Sequence, residues 1–547
     1  MKVFEAIANA LREQSVTEIF GLMGDGNLKF LTYWANDLGL GYYGTRHESA
    51  AIAMADGYSR TSGRTGVCTV TQGPGLTNSL TALVTARKAG SRLLLLAGDV
   101  AAAQRGWPQD VDHDAIFAAA GVPVVHIDNH RTPYADIVSA YRMAASGRGP
   151  VAVNLPIDIQ DRDWDAWHDE PAEQTRAVSG PTPPDGEVRR AATLLGRARK
   201  PVIIAGRGAV EAGCEAALAA IGDRVGALLA TTLRAKGMFD GNPFLIGIAG
   251  GLGTNLSAKL IGEADVVLAV GAGMNDFTTM RQSLLSEAAD VIACDIRDRD
   301  LRRPTGQLSI LTGDAAGVVP RLLGELELLA PSGDGYRTPG LAAKLRAFRP
   351  ESELVLASGA QGLDPRALTI RLNELLARDR LVVTDAGHFF GNPCTYMSAP
   401  GPRSFVCGID FGSIGLGIGH AMGASVASPG RPVVLFIGDG GLQMSLGDLE
   451  TVARYRLPLL LVVMNDAAYG SELQIMRLWS MPEELAVFPP TDFVAVAQAL
   501  GIRAIRVRSL ADLDQIVDLP AEAGPTLLDC AISRDVRAAW LDEAFSR

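Results

Sequence analysis

Few cysteines and no long apolar run characterise this 547-residue sequence, and each shortage excludes a class of protein. The six cysteines show no CxxC spacing, which excludes a disulfide framework and is typical of reduced thiols in the cytosol. No 18-residue stretch is free of polar interruption, so no transmembrane helix is predicted. The amino-terminal residues lack the basic and apolar segments of a signal peptide, and we therefore expect a cytoplasmic protein.

Positive charge is also in short supply. Lysine and arginine number 50 against 61 aspartates and glutamates, which gives a formal net charge of −11. A chain with this balance has no basic footprint for phosphate backbones or anionic lipid. We therefore expect neither a nucleic acid nor a membrane as a partner.

Glycine, in contrast, is plentiful, and the chain is too long for one hydrophobic core. The 60 glycines suit many tight turns between strands and helices. Two stretches rich in Pro, Gly and charge, residues 163–186 and 331–352, are typical of linkers. They predict three domains, at residues 1–165, 186–330 and 353–547.

Short apolar runs alternate with helical patterns in each of these segments. Runs of five to eight apolar residues without alternation indicate strands covered on both faces, the pattern of parallel sheets. The sequence thus predicts an α/β fold, with a doubly wound parallel sheet in each of three domains. Ligands in such folds bind in loops after the carboxyl ends of strands. The runs include residues 92–98, 201–206, 264–271, 381–385, 432–438 and 458–465.

Two Gly-Asp-Gly turns raise the question of a metal site. The second, around Asp439, follows an apolar run, and a helix predicted over residues 441–458 leads to a strand that ends at Asp466, 27 positions later. Two neighbouring strand ends would then present two carboxylates, suited to Mg²⁺ and a diphosphate at a helix start. No such partner follows the first turn, so Asp25 is not predicted to be a metal ligand.

This arrangement resembles the signature of thiamine diphosphate enzymes. The resemblance implies thiamine diphosphate and Mg²⁺ as cofactors, with Asp439, Asp466 and the Ala468 carbonyl as metal ligands. Asp466 departs from the family pattern, which has Asn, and adds negative charge opposite the diphosphate. The further residues that we assign to the cofactor are Gly387, His388, Gly412, Ser413, Ile414, Gly438, Gly440, Gly441, Tyr469 and Gly470.

Residues 44–58 begin polar and become a helix of small residues, with Glu48 at its start. Together with residues 66–90 and 93–99, they resemble the pyrimidine-binding domain of the acetolactate synthase-like family. The resemblance implies that Glu48 is the catalytic glutamate that drives the aminopyrimidine to its imino tautomer. It also implies the three domains of the thiamine diphosphate-binding fold: pyrimidine, central and diphosphate.

The middle of the chain resembles the central domain of acetolactate synthases. The similarity lies in residues 201–208, 231–237, 271–276 and 294–300. In several relatives this domain binds FAD or an ADP moiety, but the arginine expected after Asp276 is replaced by Phe277. We therefore expect a Gly-rich central domain without FAD.

Other positions resemble simple 2-oxo acid decarboxylases. Asp25 matches an acid near their substrate, Glu472 matches a catalytic glutamate, and Ile414 matches the residue that props the bent cofactor. Gln109 resembles the glutamine of the synthase substrate loop. His113 is either a further proton carrier with Asp25 and Glu472 or a surface helix residue.

The resemblance implies decarboxylation of a small 2-oxo acid through an enamine, followed by protonation or transfer to a carbonyl acceptor. Two alternatives stay open: a 2-hydroxyacyl lyase that releases no CO₂, and a catalytically silent cofactor-binding subunit. A dinucleotide oxidoreductase is disfavoured because Gly415, Gly417 and Gly419 lack the GxGxxG spacing. The family's active site lies between subunits, so a homodimer or homotetramer is expected.

Overall fold

The computed structural model describes residues 1–147, 149–164, 181–296, 307–330, 335–355, 362–516 and 524–541. Within these residues, eighteen strands form three six-stranded sheets, and every strand pair within the sheets is parallel. This confirms the prediction of three doubly wound α/β units. None of the helices in these ranges is both long and apolar enough to span a bilayer. The exact domain boundaries stay a prediction.

The first sheet has the strand order β2-β1-β3-β4-β6-β5. Its strands β3 and β4 are buried along their whole length, and for β4 the apolar run at residues 92–98 predicts this. The strands are β1 (Glu18–Gly21), β2 (Gly41–Gly44), β3 (Gly66–Val70), β4 (Leu93–Asp99), β5 (Val124–His126) and β6 (Val151–Pro156). The helices are α1 (Val3–Glu13), α2 (Leu28–Thr32), α3 (Glu48–Ser62), α4 (Pro74–Thr77), α5 (Leu80–Ala89), α6 (His113–Ala120), α7 (Pro133–Ala145) and α8 (Ile157–Gln160).

The central sheet has the order β12-β11-β10-β7-β8-β9, which is that of a dinucleotide-binding fold. Part of the predicted segment 294–300 lies outside the described residues. The strands are β7 (Pro201–Ala205), β8 (Leu228–Thr231), β9 (Leu245–Ile248), β10 (Val266–Val270), β11 (Asp290–Asp295) and β12 (Leu308–Thr312). The helices are α9 (Asp185–Gly196), α10 (Arg207–Glu211), α11 (Glu215–Val225), α12 (Asn255–Gly262), α13 (Ala315–Leu329) and α14 (Pro339–Ala347).

The third sheet has the order β14-β13-β15-β16-β18-β17, which repeats the topology of the first. The strands are β13 (Leu381–Thr384), β14 (Phe405–Cys407), β15 (Val433–Gly438), β16 (Leu459–Asn465), β17 (Arg503–Val507) and β18 (Thr526–Ala531). The helices are α15 (Pro365–Leu375), α16 (Gly391–Tyr396), α17 (Gly417–Ala427), α18 (Asp439–Met444), α19 (Asp448–Arg454), α20 (Gly470–Leu478) and α21 (Phe493–Ala499).

The helix predicted over residues 441–458 is in fact two helices, α18 and α19. The chain leaves helical geometry at Ser445, and a new helix begins at Asp448. The Asp448 carboxylate is occupied at this helix start, because it accepts hydrogen bonds from the Thr451 hydroxyl and from the backbone N–H of Arg46. The start of α19 is thereby joined to the first sheet's unit by a hydrogen bond that the local sequence does not show.

Helices α3 and α17 pack against each other between the first and third sheets, and one hydrophobic cluster runs through both units. Glycines make the contact close: a Cβ on Gly423 would collide with the carbonyl oxygen of Met54, and one on Gly57 with that of His420. Buried Asp56 also joins the helices, since it bonds Arg60 and, at 3.0 Å, His420 Nε2. Burial opposes ionisation of Asp56, but Arg60 and His420 outweigh it and hold its pKa well below its usual range.

Gly423→Ala should lower the free energy of unfolding by about 1–3 kcal/mol, because the added methyl group meets fixed backbone. Chemical denaturation followed by circular dichroism measures the change. Gly324→Ala in α13 is the matched control, since nothing lies within 4 Å of its Cβ, and it should stabilise by about 0.5–1 kcal/mol. Equal effects of the two substitutions would contradict the close packing.

Candidate cofactor and active site

A cleft opens where β13, β15 and β16 end, at the position where the strand order of the third sheet reverses. Its volume is about 900 Å³ when the open mouth is included. Open α/β sheets bind ligands at this reversal point. The cleft brings together twelve of the thirteen residues predicted for the cofactor, all except Ser413, and Glu472 lines it too.

Two buried carboxylates form the floor of the cleft. Asp439 is the first residue of α18, after β15, and Asp466 directly follows β16. Oδ2 of each is buried and accepts no hydrogen bond in the part of the chain that the structure describes. Burial raises both pKa values, to about 6 for Asp439, and the nearby charge of Asp439 raises that of Asp466 further.

In the folded protein each carboxyl therefore keeps its proton to a higher pH than in the unfolded chain. Because the folded pKa values lie above the ordinary value of 3.8, the carboxyls favour folding most at low pH. Their contribution to stability then falls as the pH rises from about 4 to about 7. A bound cation would offset this loss of stability at higher pH, because it compensates the negative charges of both carboxylates.

The turn after β16 orients the second carboxylate. Ala467 has a positive φ of 52°, an uncommon conformation for a non-glycine residue. The flanking structure maintains the turn, because Arg534 donates to the Asp466 carbonyl at 2.7 Å and Phe488 N–H donates to the Ala467 carbonyl. The backbone N–H groups of Ala467 and Ala468 in turn lower the pKa of Asp439. The ends of β15 and β16 are thereby linked through these hydrogen bonds.

These residues fit a divalent cation that bridges to a diphosphate. Two unsatisfied carboxylate oxygens are the ligands that Mg²⁺ prefers, and it commonly keeps phosphate and water at its other positions. Among the described residues, no group of three or more His, Cys, Asp or Glu side chains could hold a metal ion. Backbone and cofactor oxygens would therefore complete the coordination.

Asp385, which sequence reasoning missed, anchors the loop that forms the opposite wall of the cleft. It follows β13 and accepts the backbone N–H groups of Gly415, at 2.7 Å, and Gly417, at 3.1 Å. Burial raises its pKa to about 6, although these two N–H groups oppose the shift. The loop that carries Ile414 into the cleft is thus fixed at the start of α17.

Histidine and aromatic side chains form the rest of the cleft wall. Burial lowers the pKa of His388 to about 4, so its ring is neutral, with Nε2 3.6 Å from Asp466 Oδ2. Phe389 lines the cleft, whereas Phe390 is fully buried against the Trp540 ring, whose centroid lies 5.7 Å away. Glu472, in the first turn of α20, is exposed.

Glu48 is the first residue of α3 and is only 7% exposed. Its Oε2 accepts a hydrogen bond of 3.1 Å from Asn78, just after α4. The loop before it is clamped to α19 of the same chain, where Asp448 accepts Arg46 N–H and Glu450 accepts Arg46 Nε at 2.6 Å. No described residue before 386 lines the cleft, so Glu48 is not brought to it within one chain.

The other predicted catalytic residues of the first unit form two groups. Asp25 and Gln109 are joined through Gln72, a residue that sequence reasoning missed. His113 is buried at the start of α6, so it is not a surface helix residue. Its Nδ1 lies 2.8 Å from Asn154 Oδ1, and its Nε2 lies 3.8 Å from Asp99.

Comparison with known proteins agrees with this geometry. Models of the thiamine pyrophosphate enzyme N-terminal TPP binding domain, central domain and C-terminal TPP binding domain match residues 1–118, 188–322 and 385–530. Thiamine pyrophosphate is another name for thiamine diphosphate. The chain belongs to the thiamine pyrophosphate enzyme family, and models of both TPP-binding domains of that family match it.

Relatives of similar length carry one functional name. A probable acetolactate synthase large subunit of Methanocaldococcus jannaschii is 28% identical, over 97% of this chain and 92% of its own length. The acetolactate synthase isozyme 3 large subunit of Escherichia coli is 29% identical, over 92% and 89%. The acetolactate synthase of Arthrospira platensis is 29% identical, over 97% and 94%.

The two raised carboxyl pKa values predict that metal binding depends on pH. Mg²⁺ affinity, measured by calorimetry with thiamine diphosphate present, should fall as the pH drops from about 8 to about 6, because protons compete for the ligands. Asp466→Asn should retain binding with a shallower pH dependence, since one coupled carboxyl is removed. If Mg²⁺ affinity changed equally steeply with pH in the parent and in the variant, this account would be contradicted.

Proposed function

We propose that this chain is a thiamine diphosphate- and Mg²⁺-dependent enzyme that decarboxylates a small 2-oxo acid and transfers the remaining fragment to a carbonyl acceptor. The observation that carries the proposal is the pair of buried, unsatisfied carboxylate oxygens of Asp439 and Asp466 at the strand ends. The acetolactate synthase names of the full-length relatives support carboligation.

Residues of the third unit would hold the cofactor. Asp439, Asp466 and the Ala468 carbonyl would hold Mg²⁺ and, through it, the diphosphate, while the start of α18 adds backbone N–H groups. Ile414 and Phe389 line the cleft and would present apolar surface to the rings of the cofactor. When bound, thiamine diphosphate supplies the carbanion that attacks the substrate carbonyl and accepts the electron pair left by CO₂.

Glu48 would exchange a proton with the pyrimidine ring of the cofactor. Among the residues that the structure describes, Asn78 is its one hydrogen-bond partner, which leaves the other carboxylate oxygen available for that exchange. Water is restricted around Glu48 because this residue is nearly buried. A carboxyl in such surroundings is suited to acid and base chemistry.

The site requires a second copy of the chain. The cleft is lined only by described residues 386–541, whereas Glu48, Asp25 and Gln109 belong to the first unit. Large apolar side chains are exposed beside both parts, at Met23 and Trp107 near Asp25 and Gln109, and on and after α20. Contact between copies would cover this surface and complete two sites related by twofold symmetry. Those on and shortly after α20 are Leu478, Trp479, Met481, Leu485 and Val487.

A second candidate function is release of an aldehyde after protonation. It is favoured by Glu472, which lines the cleft, and by Asp25, whose carboxylate is exposed next to Gln109. Both are carboxylates near the proposed substrate position, and His113 stays a further candidate. The organic product distinguishes protonation from carboligation.

We propose further that the central unit carries no FAD. Gly206 and Gly208 pack directly on Gly271, since a Cβ at either would collide with Gly271 backbone atoms. These glycines therefore serve contact between two loops, and Phe277 replaces the arginine of flavin-binding relatives. A flavin absorbance spectrum in the purified protein would overturn this.

The purified protein with thiamine diphosphate, Mg²⁺ and a panel of 2-oxo acids should release CO₂ and form a 2-hydroxy ketone or acetohydroxy acid. Glu48→Gln should keep cofactor affinity and lose about 10²–10⁴-fold in turnover, because proton exchange with the ring is lost. Product identification and cofactor titration are the measurements. Absence of CO₂ from every acid would reject decarboxylation in favour of the lyase or the silent subunit.

Mixing two inactive variants tests the shared site. Asp439→Ala should lose Mg²⁺-dependent cofactor binding, and Glu48→Gln should lose turnover. In hybrids, Glu48 of the first variant meets Asp439 of the second in one complete site. Re-associated mixtures should recover up to about a quarter of parental activity, because half of the dimers are hybrids with one complete site each. No recovery despite demonstrated hybrid formation would place both residues in one chain.

A further inference from the structure

Gln72 connects the two first-unit residues assigned to the substrate. It follows β3 and is 1% exposed. Its Nε2 donates to Asp25 Oδ1 at 2.7 Å and to Gln109 Oε1 at 3.0 Å. Loops that follow β1, β3 and β4 are thereby joined through one buried amide.

The direction of these hydrogen bonds follows from which groups can donate. An ionised Asp25 only accepts, so it turns the Gln72 amide nitrogen toward itself, and that nitrogen has two hydrogens for its two partners. The Gln72 carbonyl oxygen is used elsewhere, because it accepts the Thr71 hydroxyl at 2.6 Å. The same oxygen lies close to Gly26, since a Cβ built there would collide with it.

Gln109 is therefore fixed in one orientation. Its oxygen accepts from Gln72, which leaves its amide nitrogen as the outward group, and this nitrogen donates to no other described residue. The loop that carries it is anchored, because Arg105 pairs with buried Asp99 at 2.8 Å and with Asp110 at 2.9 Å. The Gln109 backbone also lies against Gly73. The exposed side chain thus presents two N–H donors and no acceptor.

We propose that Gln72 is a positioning residue that determines substrate class: it orients Gln109 so that the Gln109 amide nitrogen donates to the carboxylate of the 2-oxo acid. This rests on the proposed function. An N–H donor facing a carboxylate forms a charge-assisted hydrogen bond, whereas an amide oxygen in its place would repel it. The ionised Asp25 is the origin of the orientation, and Gln72 transmits it.

Gln72→Glu tests the orientation because it leaves no donor for Gln109. An ionised Glu only accepts, and a proton that Glu takes up is shared with Asp25, which lies 2.7 Å from the Gln72 nitrogen in the parent. Gln109 must then rotate its nitrogen toward residue 72 and turn its oxygen toward the substrate. KM for the 2-oxo acid should rise about 10- to 100-fold, while kcat changes far less. Gln72→Met, similar in size but unable to donate, leaves Gln109 free to rotate and should raise KM by a smaller factor.

Gln498→Glu is the matched control, since it makes the same charge change on the exposed face of α21 and should leave KM unchanged. Thermal unfolding and thiamine diphosphate titration show whether each variant is folded and loaded. If Gln72→Glu does not fold, the Met variant still overturns the proposal when its KM equals that of the parent.

An acylphosphonate monoester, which has the 2-oxo group and a negative charge but no CO₂ to lose, gives a readout independent of turnover. Calorimetry should show weaker binding to Gln72→Glu than to the parent, by a factor similar to the rise in KM. Parental affinity and KM in a folded Gln72→Glu variant would overturn the orienting role and leave the proposed function intact. If the parent itself neither binds the analogue nor turns over any 2-oxo acid, the proposed function fails, and this inference with it.

Discussion

The close contact between α3 and α17 is the constraint on which the rest of the structure depends. Small residues allow the two helices to approach until a single added methyl group at Gly423 or Gly57 would meet backbone. Glu48 begins one helix, and the loop that carries Ile414 leads directly into the other. Because interiors are packed to the density of organic crystals, the contact leaves little freedom for either loop. The buried hydrogen bond between Asp56 and His420 adds direction to it, since hydrogen bonds to a charged group require defined geometry.

The site contains charged groups that the protein alone does not satisfy. Asp439 and Asp466 are buried side by side, and such carboxylates are costly unless a cation compensates them. Asp466 increases that cost relative to the asparagine of the family pattern. The backbone around these carboxylates is held firmly by the ends of two strands, by the left-handed turn at Ala467 and by the hydrogen bond from Arg534. The fold can therefore keep the two carboxylates buried. Unsatisfied groups held rigidly in this way are typical of ligand sites.

The candidate site was predictable to the extent that its residues are close in sequence to a recognisable turn. Asp439 and Asp466 each follow a continuous apolar strand, and the resemblance to thiamine diphosphate enzymes assigned them. Asp385 and Gln72 escaped because their importance comes from partners in other loops: the amides of Gly415 and Gly417 for the first, Asp25 and Gln109 for the second. The hydrogen bond from Arg46 to Asp448 escaped for the same reason, since the two residues are about 400 positions apart.

The sequence by itself determined the elements and the class of the protein. Runs of buried β-branched and leucine residues specify parallel strands through their hydrophobic pattern, and motif spacing over one strand–helix–strand unit specifies the cofactor family. Only the tertiary structure decided which loops meet. Strand order, the packing of α3 on α17 and the amide network around Gln72 arise from contacts between residues far apart in the chain. Such contacts depend on the shapes and hydrogen-bonding directions of both partners. The sequence around one partner carries no information about the other.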